Sequence, residues 1–452
     1  MIFFPLAAAI YLLIPDRVKK IWLIIASFFF YMSAAPIYGL VLLFIILISY
    51  TGGLIIREKK WGVLLIPICL LPLIVFKYSS FAVQNLNIIA SVLRQGGFTL
   101  PQIIQPLGIS FYTFEAVSYL ADVYKGKTEK ERNFLNLALY ISFFPTVLSG
   151  PIERSSSLIP QFDMKHRFNA ERVKNGLLTM LWGYFLKLVL SERLAGYVNK
   201  IFDDYKNYGG LYIVVAIIFF SLQIYFDFQS YSLMAYGAAE IMGFEIKRNF
   251  RQPYLAVSVA DFWRRWHISL TSWFRDYIYI SLGGNRKGNL RKYLNILVVF
   301  FISGLWHGAS WNFVFWGLLN GVYQVIGSAL QPFRDKAVEI FALRRETFSH
   351  RIMKTVVTFC LVALAWTFFK AESLMSGLRL LSAAAVWNPW IFFDGKFISC
   401  FSEAADLWII IGGLFIAFVT DCYNEKKGSL IEAIDRQELW FRWGFYLIAV
   451  LT

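Results

Sequence analysis

Long stretches without a single charge decide what this chain can become. The clearest are "IWLIIASFFFYMSAAPIYGLVLLFIILISY" (residues 21–50) and "WGVLLIPICLLPLIVF" (61–76). A helix of about 20 apolar residues crosses the hydrocarbon core of a bilayer. In lipid every backbone N–H and C=O must be bonded within its own segment, which favours helices. The 452 residues are 58% hydrophobic and 16% charged, whereas a soluble domain is nearer half apolar and a quarter charged. The expected class is therefore all-α: a polytopic integral membrane protein of about 10–13 transmembrane helices, with re-entrant and interfacial helices besides. The opening "MIFFPLAAAIYLLIP" has neither a basic start nor a clear small-residue cleavage site. It reads as a short first span that stays in place.

The net charge of +15 would suggest nucleic acid in a soluble protein. Here the basic residues sit in short loops: Arg17, Lys19 and Lys20; Arg57, Lys59 and Lys60; Lys125, Lys127, Lys130 and Arg132. That is the excess of cytoplasmic loops, so membrane lipid is the expected surrounding and no nucleic acid is expected as a partner. The uncharged turn "APIYG" separates the first two clusters, which puts both inside and the N-terminus outside. The four cysteines, Cys69, Cys360, Cys400 and Cys422, form no Cys-x-x-Cys pair. They imply neither a disulfide framework nor a metal site.

The chain reads as a single membrane domain, 1–452, with three regions. Residues 1–100 hold N-terminal helices, 101–320 a core, and 321–452 plainer C-terminal helices. The core differs because its apolar runs carry polar residues at depth, as in "PLGISFYTFEAVSYLADVY" and "FFSLQIYFDFQSYSLMAYGAAEIMGF". Such segments suit broken helices packed inside protein or lining a cavity. Glu115, Asp122, Gln223 and Asp227 are the polar candidates, and Asp227 is expected to pair with Arg264 or Arg265. On a single helix over 261–277, Trp263, Trp266, Leu270, Trp273, Phe274 and Tyr277 share one face. Asp261, Arg264, Arg265, Ser272, Arg275 and Asp276 share the other. This is the pattern of a helix lying in the membrane interface, with Asp261 and Arg265 spaced to pair and Gly283-Gly284-Asn285 ending it.

Of four histidines, His166 and His350 lie in charged loops and read as solvated. His307 stands in the apolar "SGLWHGASW", bracketed by Gly304 and Gly308. Small residues at that spacing admit close approach of a helix or a ligand. The residue is either a core histidine bonded between helices or a base. A buried neutral imidazole can take the proton of a hydroxyl as that hydroxyl attacks an acyl group. His267, at the edge of the aromatic face, is open to the same two readings. No Gly-x-Ser-x-Gly elbow, His-Glu-x-x-His motif or Walker loop competes with them.

Four segments together resemble the bacterial membrane-bound O-acyltransferase (MBOAT) family: "PLGISFYTFEAVSYLADVYKGK", "ALYISFFPTVLSGPIER", "IYFDFQSYSLMAYGAAEIMGFEIKRNFRQPYLAVSVADFWRRWHISLTSWFRDYIYISLGGNR" and "SGLWHGASWNFVFWGLLNG". The closest branch O-acetylates alginate, peptidoglycan and other exported polysaccharides. The resemblance implies that His307 is the family's essential histidine and His267, in "RRWHIS", its second. It implies helices around a central tunnel in the bacterial plasma (inner) membrane, and no permanently bound cofactor. Cytoplasmic acetyl-CoA would be the donor, and an extracytoplasmic esterase-like partner transferase would finish delivery to the polysaccharide. As an extension of that picture, "NRKGNLRK" would attract the donor's phosphates, and the 261–277 helix would frame its entrance, with Trp263, Arg264 and Arg265 as donor contacts.

The chain departs from the family pattern at three places. Leu233 replaces an acidic residue, and Asn320 stands where many relatives have a histidine. The sequence also stops at Thr452 inside an apolar run, where relatives commonly continue to an aromatic tail; this is read as a truncation. A transporter of polysaccharide or of an acylated intermediate is the alternative from another class. An acyltransferase moving D-alanine or another acyl group is the alternative within it.

Overall fold

The computed structural model describes residues 2–33, 35–93, 97–99, 103–342, 344–393 and 395–451. Thr452, where the truncation was read, lies outside the described residues. Helices and turns make up the described chain, with no strand among the described residues. It divides into two compact units, Met1–Leu178 with Ala235–Lys247, and Thr179–Met234 with Arg248–Thr452. These boundaries cut across the three regions drawn from composition.

The first unit begins with α1 (Phe3–Leu13), α2 (Asp16–Met32), α3 (Gly39–Ile55) and α4 (Leu65–Val92). It continues with α5 (Ile109–Tyr124), α6 (Phe134–Ser142) and the single turn α7 (Ser155–Leu158). Most of α8 (Ala170–Tyr184) follows. The α3–α5 contact depends on paired glycines. A Cβ on Gly52 would lie 2.8 Å from the Leu120 side chain, and one on Gly53 would lie 2.3 Å from the Tyr119 hydroxyl. Polar residues at depth here serve packing. The buried Glu115 accepts the Glu153 backbone N–H at 3.1 Å, and the buried Glu153 accepts that of Lys247 at 2.6 Å. His166, expected in solvent, is buried. Its ring packs on Phe244 at 4.5 Å, and its Nε2 lies 2.7 Å from the Gln161 carbonyl. The charged residues around it in sequence hid an aromatic pocket made by distant chain.

In the second unit a π-helical stretch, Phe185–Ser191, leads into α9 (Glu192–Asp203) and α10 (Leu211–Met242), whose last turns belong to the first unit. Then come α11 (Val259–Arg265), α12 (Ile268–Phe274), α13 (Gly288–His307), α14 (Trp311–Ala329), α15 (Gln331–Ile340), α16 (Phe348–Lys370), α17 (Leu374–Ala384), α18 (Ala404–Lys427), α19 (Leu430–Asp435) and α20 (Leu439–Leu451). Its core is unusually aromatic, with Trp263, Trp266, Trp316 and Trp366 in one buried cluster.

Five described helices are long and apolar enough to cross a membrane, or six if α14 and α15, bent by 46°, form one broken span. That is fewer than the about 10–13 expected. The remaining helices are shorter, as in α1 and α17, or begin in charge, as α13 does with Arg291 and Lys292. The chain is a multi-pass all-α membrane protein.

Candidate active site

His307 is the last residue of α13. Residues 308–310 turn the chain back into α14, and glycines let the two helices close. A Cβ on Gly304 would lie 2.4 Å from the Phe313 carbonyl oxygen, and one on Gly317 would lie 2.2 Å from that of Phe300. A Cβ on Gly308 would enter the Phe313 ring at 2.2 Å. Of the small residues bracketing His307, Gly304 thus admits the α14 backbone and Gly308 admits the Phe313 ring. Beyond the turn, Asn312 Nδ2 donates to the Ala371 carbonyl at 2.8 Å and ties α14 to the end of α16.

These contacts put His307 among rings. Its imidazole meets Trp306 at 4.7 Å, Trp316 at 5.0 Å and Phe369 at 5.3 Å between centroids, all near-perpendicular. Trp316 is backed by Trp366, stacked at 5.4 Å, and Trp366 meets Phe369 edge-on at 5.2 Å. Edge-to-face geometry is the preferred aromatic arrangement, so the ring is oriented on several sides. It remains half-buried, unlike the tryptophans around it.

His267 is 1% exposed. Sequence periodicity predicted one helix across it, but the structure has two seven-residue helices with His267 between them in the left-handed region, at φ 44°. No glycine or proline marks the break. It is made by tertiary pairing with residues 249–251, where Arg251 N–H donates to the Arg265 carbonyl at 3.0 Å and Ile268 N–H to the Asn249 carbonyl at 2.9 Å. The His267 ring packs edge-on against Phe228 at 4.6 Å and Trp306 at 5.9 Å. Burial pushes its pKa down to about 3, so the imidazole is held neutral. Trp306 therefore touches both histidines, and the structure brings them to one indole. The bridging indole was not legible as such, because its contact with His267 depends on the broken helix.

The aromatic face of 261–277 is covered by protein: Trp263, Trp266, Leu270, Trp273 and Phe274 are all buried. Trp263 donates its indole N–H to Asn320 Oδ1 at 3.3 Å and packs on Trp316 at 5.8 Å. Asn320 is thus a hydrogen-bond partner inside the cluster. The expected Asp261–Arg265 pair forms at 3.1 Å. Arg265 also meets Glu425 of α18 in a two-pronged contact at 2.8 and 3.0 Å. Arg264 is exposed. Asp227 pairs with Lys187 at 2.7 Å rather than with an arginine. The π-helical stretch widens the turn there, and Ser191 Oγ reaches the same carboxylate at 3.3 Å. Among the described residues no group of three or more His, Cys, Asp or Glu could hold a metal ion.

An oriented, half-exposed imidazole beside a buried neutral one, in an aromatic shell, is suited to proton transfer at a hydroxyl or acyl group. Residues 130–369 match the membrane-bound O-acyltransferase family. A probable alginate O-acetylase of Pseudomonas aeruginosa is 34% identical over 398 residues, covering 86% of this chain and 74% of that protein. The peptidoglycan O-acetyltransferase of Helicobacter pylori is 33% identical over 403 residues, 82% and 74% of the two chains. The teichoic acid D-alanyltransferase of Bacillus subtilis is 25% identical over 279 residues, 60% and 70%. With a family match through both histidines and relatives alike along most of their length, the chain belongs to the membrane-bound O-acyltransferases and is an acyltransferase.

Proposed function

We propose that the protein transfers acetyl groups from cytoplasmic acetyl-CoA to an exported polysaccharide of the alginate or peptidoglycan kind, across the bacterial inner membrane and with an extracytoplasmic partner transferase. His307 is the base. The observation that carries this reading is its setting: a half-exposed imidazole at a helix end, oriented by Trp306, Trp316 and Phe369. Its Nδ1 or Nε2 takes the proton of the attacking hydroxyl as the oxygen bonds to the thioester carbonyl carbon. The same proton then passes to the departing CoA sulfur. While it holds the proton, the imidazolium sits at the C-terminal end of α13, where the helix dipole favours positive charge. His267, which packs on the same Trp306, supports the exchange. The relatives named for O-acetylation support an acetyl donor over D-alanine, since they match at higher identity and over more of the chain.

The test combines two measurements. The purified full chain with its partner transferase is given labelled acetyl-CoA and polysaccharide acceptor, and product acetylation is read by mass spectrometry. Transfer by the native chain and its loss in a folded His307→Ala variant are expected. Full transfer by that variant removes His307 from the mechanism. Label moving only from a D-alanyl donor replaces the acetyl reading.

A further inference from the structure

We propose that Arg265 and Glu425 form a clamp that fixes the His267 backbone in its left-handed conformation, making both of them positioning residues of the transfer site. The functional side of the proposal rests on the role given to His267 above. A side-chain-bearing residue at positive φ is disfavoured because its Cβ crowds the backbone. It persists only where the surroundings over-determine it. Among the described residues three non-glycines have positive φ, Gln252 at 39°, His267 at 44° and Ala342 at 46°. Two of the three belong to one short backbone pairing, 249–251 against 265–268: Gln252 directly follows the first segment and His267 lies within the second.

That pairing holds His267 on both sides. Arg265, two residues before it, gives its carbonyl to Arg251, and Ile268, the residue after it, gives its N–H to Asn249. The Asn249 side chain also accepts the Ser269 N–H at 3.4 Å. The pairing is only as rigid as Arg265. Nε of Arg265 donates to Asp261 at 3.1 Å, while Nη1 and Nη2 donate to the two oxygens of Glu425 at 2.8 and 3.0 Å. The two side chains of the fork are 15% and 11% exposed. Arg351 approaches Glu425 from another helix at 3.6 Å. One turn before Glu425, Asp421 accepts the Tyr225 hydroxyl at 3.0 Å, so α18 is anchored to α10 independently of the clamp. A buried ion pair is seldom the most stabilising choice at a given volume. A planar two-pronged fork is, however, the most geometrically specific one, and the geometry it specifies lies two residues from His267.

The clamp gives Arg265 a task other than donor binding, since Nε, Nη1 and Nη2 are all directed at carboxylates. Arg264, with a side chain 72% exposed, places Nη2 on Asp261, at 3.4 Å, and turns the rest of its guanidinium outward, where a donor phosphate would meet it.

The experiment uses the full chain in nanodiscs, labelled with 15N-histidine, with the His267 resonance assigned through His267→Asn. Arg265→Lys keeps the charge and removes the fork; Glu425→Gln keeps the shape and removes the charge. Both are expected to shift the His267 imidazole resonance while leaving that of His307 in place. In the acetyl-transfer assay both are expected to lower kcat about 10–100-fold with the acetyl-CoA KM unchanged. If Glu425→Gln fails to fold, Glu425→Asp replaces it. An unmoved His267 resonance in both positions' variants overturns the clamp. So does a raised acetyl-CoA KM with kcat kept in Arg265→Lys, which returns Arg265 to donor binding. Should the native chain transfer no acetyl group at all, the functional reading fails and the resonances still decide the clamp.

Discussion

The α13–α14 hairpin and the α11–α12 turn each deliver one histidine to Trp306, by opposite means. The hairpin is regular. Its helix ends at His307, and glycines at 304, 308 and 317 leave out side chains that would meet the facing segment. The turn is irregular. It breaks a sequence that reads as one helix, holds His267 at positive φ, and is fastened by residues up to 160 positions away. Local small residues make a half-open place for a reacting group. Long-range ion pairs and backbone pairing make a buried, rigid one. The contrast fits the two imidazoles to different work in the proposed reaction: His307 to meet substrate, and His267 to be held still.

The comparison breaks most visibly at His307. Replacing it by Ala or Gln is expected to lower acyl transfer by about 10²–10⁴-fold, the usual contribution of a positioned acid–base group, with little change in thermal stability of the purified protein. A drop in stability to match the drop in rate would make His307 a packing residue and erase the distinction.

Next in size is the fastening of the turn. Glu425→Ala leaves the partly buried Arg265 with Asp261 as its remaining carboxylate, and losing hydrogen bonds to a charged group costs about 1.5–3 kcal/mol. Chemical denaturation in mild detergent would measure it. Replacing Arg265 and Glu425 together by Met and Leu should recover part of that loss, because the apolar pair itself needs no compensation while Asp261 is left with Arg264, at 3.4 Å, as its cation. Stability without transfer in the double variant is the expected signature of a device kept for geometry.

In the hairpin the corresponding change is a single methyl. Gly317→Ala places a Cβ 2.2 Å from the Phe300 carbonyl oxygen, and backbone cannot step aside as a flexible side chain can. Overpacking of this kind costs about 1–3 kcal/mol. Gly327→Ala, where no atom lies within 4 Å of the added methyl, is the control in the same helix and should be neutral or slightly stabilising. Equal effects of the two would mean that the hairpin is looser than its glycines imply.

How much of this was legible follows the same division. The membrane class, the small-residue spacing around His307 and the Asp261–Arg265 pair were readable, because each depends on residues near one another in sequence; which segment meets Gly304 was not. The break at His267 was not. "RRWHIS" contains no residue that stops a helix, and the stop comes from Asn249 and Arg251 pairing across a bend. The partner of Asp227 was misassigned for a related reason. Lys187 comes within reach of it from a π-helical stretch, which no hydrophobic period announces. His166 read as solvated because its sequence neighbours are charged, although Phe244 and Tyr11 enclose its ring.

The smallest effect is the most specific to the turn. At position 267 the left-handed backbone penalises any Cβ, by about 1–2 kcal/mol in the general case, while glycine carries no such penalty and asparagine little. His267→Gly, His267→Asn and His267→Ala all remove the imidazole and its packing on Phe228 and Trp306. They should therefore lose transfer to a similar extent. They should differ in stability by the backbone term alone, with Gly and Asn about 1 kcal/mol above Ala. At a helical position the order is reversed, since Ala exceeds Gly there by a similar amount. The sign of the Gly–Ala difference in one denaturation experiment thus separates a strained turn from a continuous helix at the residue where sequence and structure part.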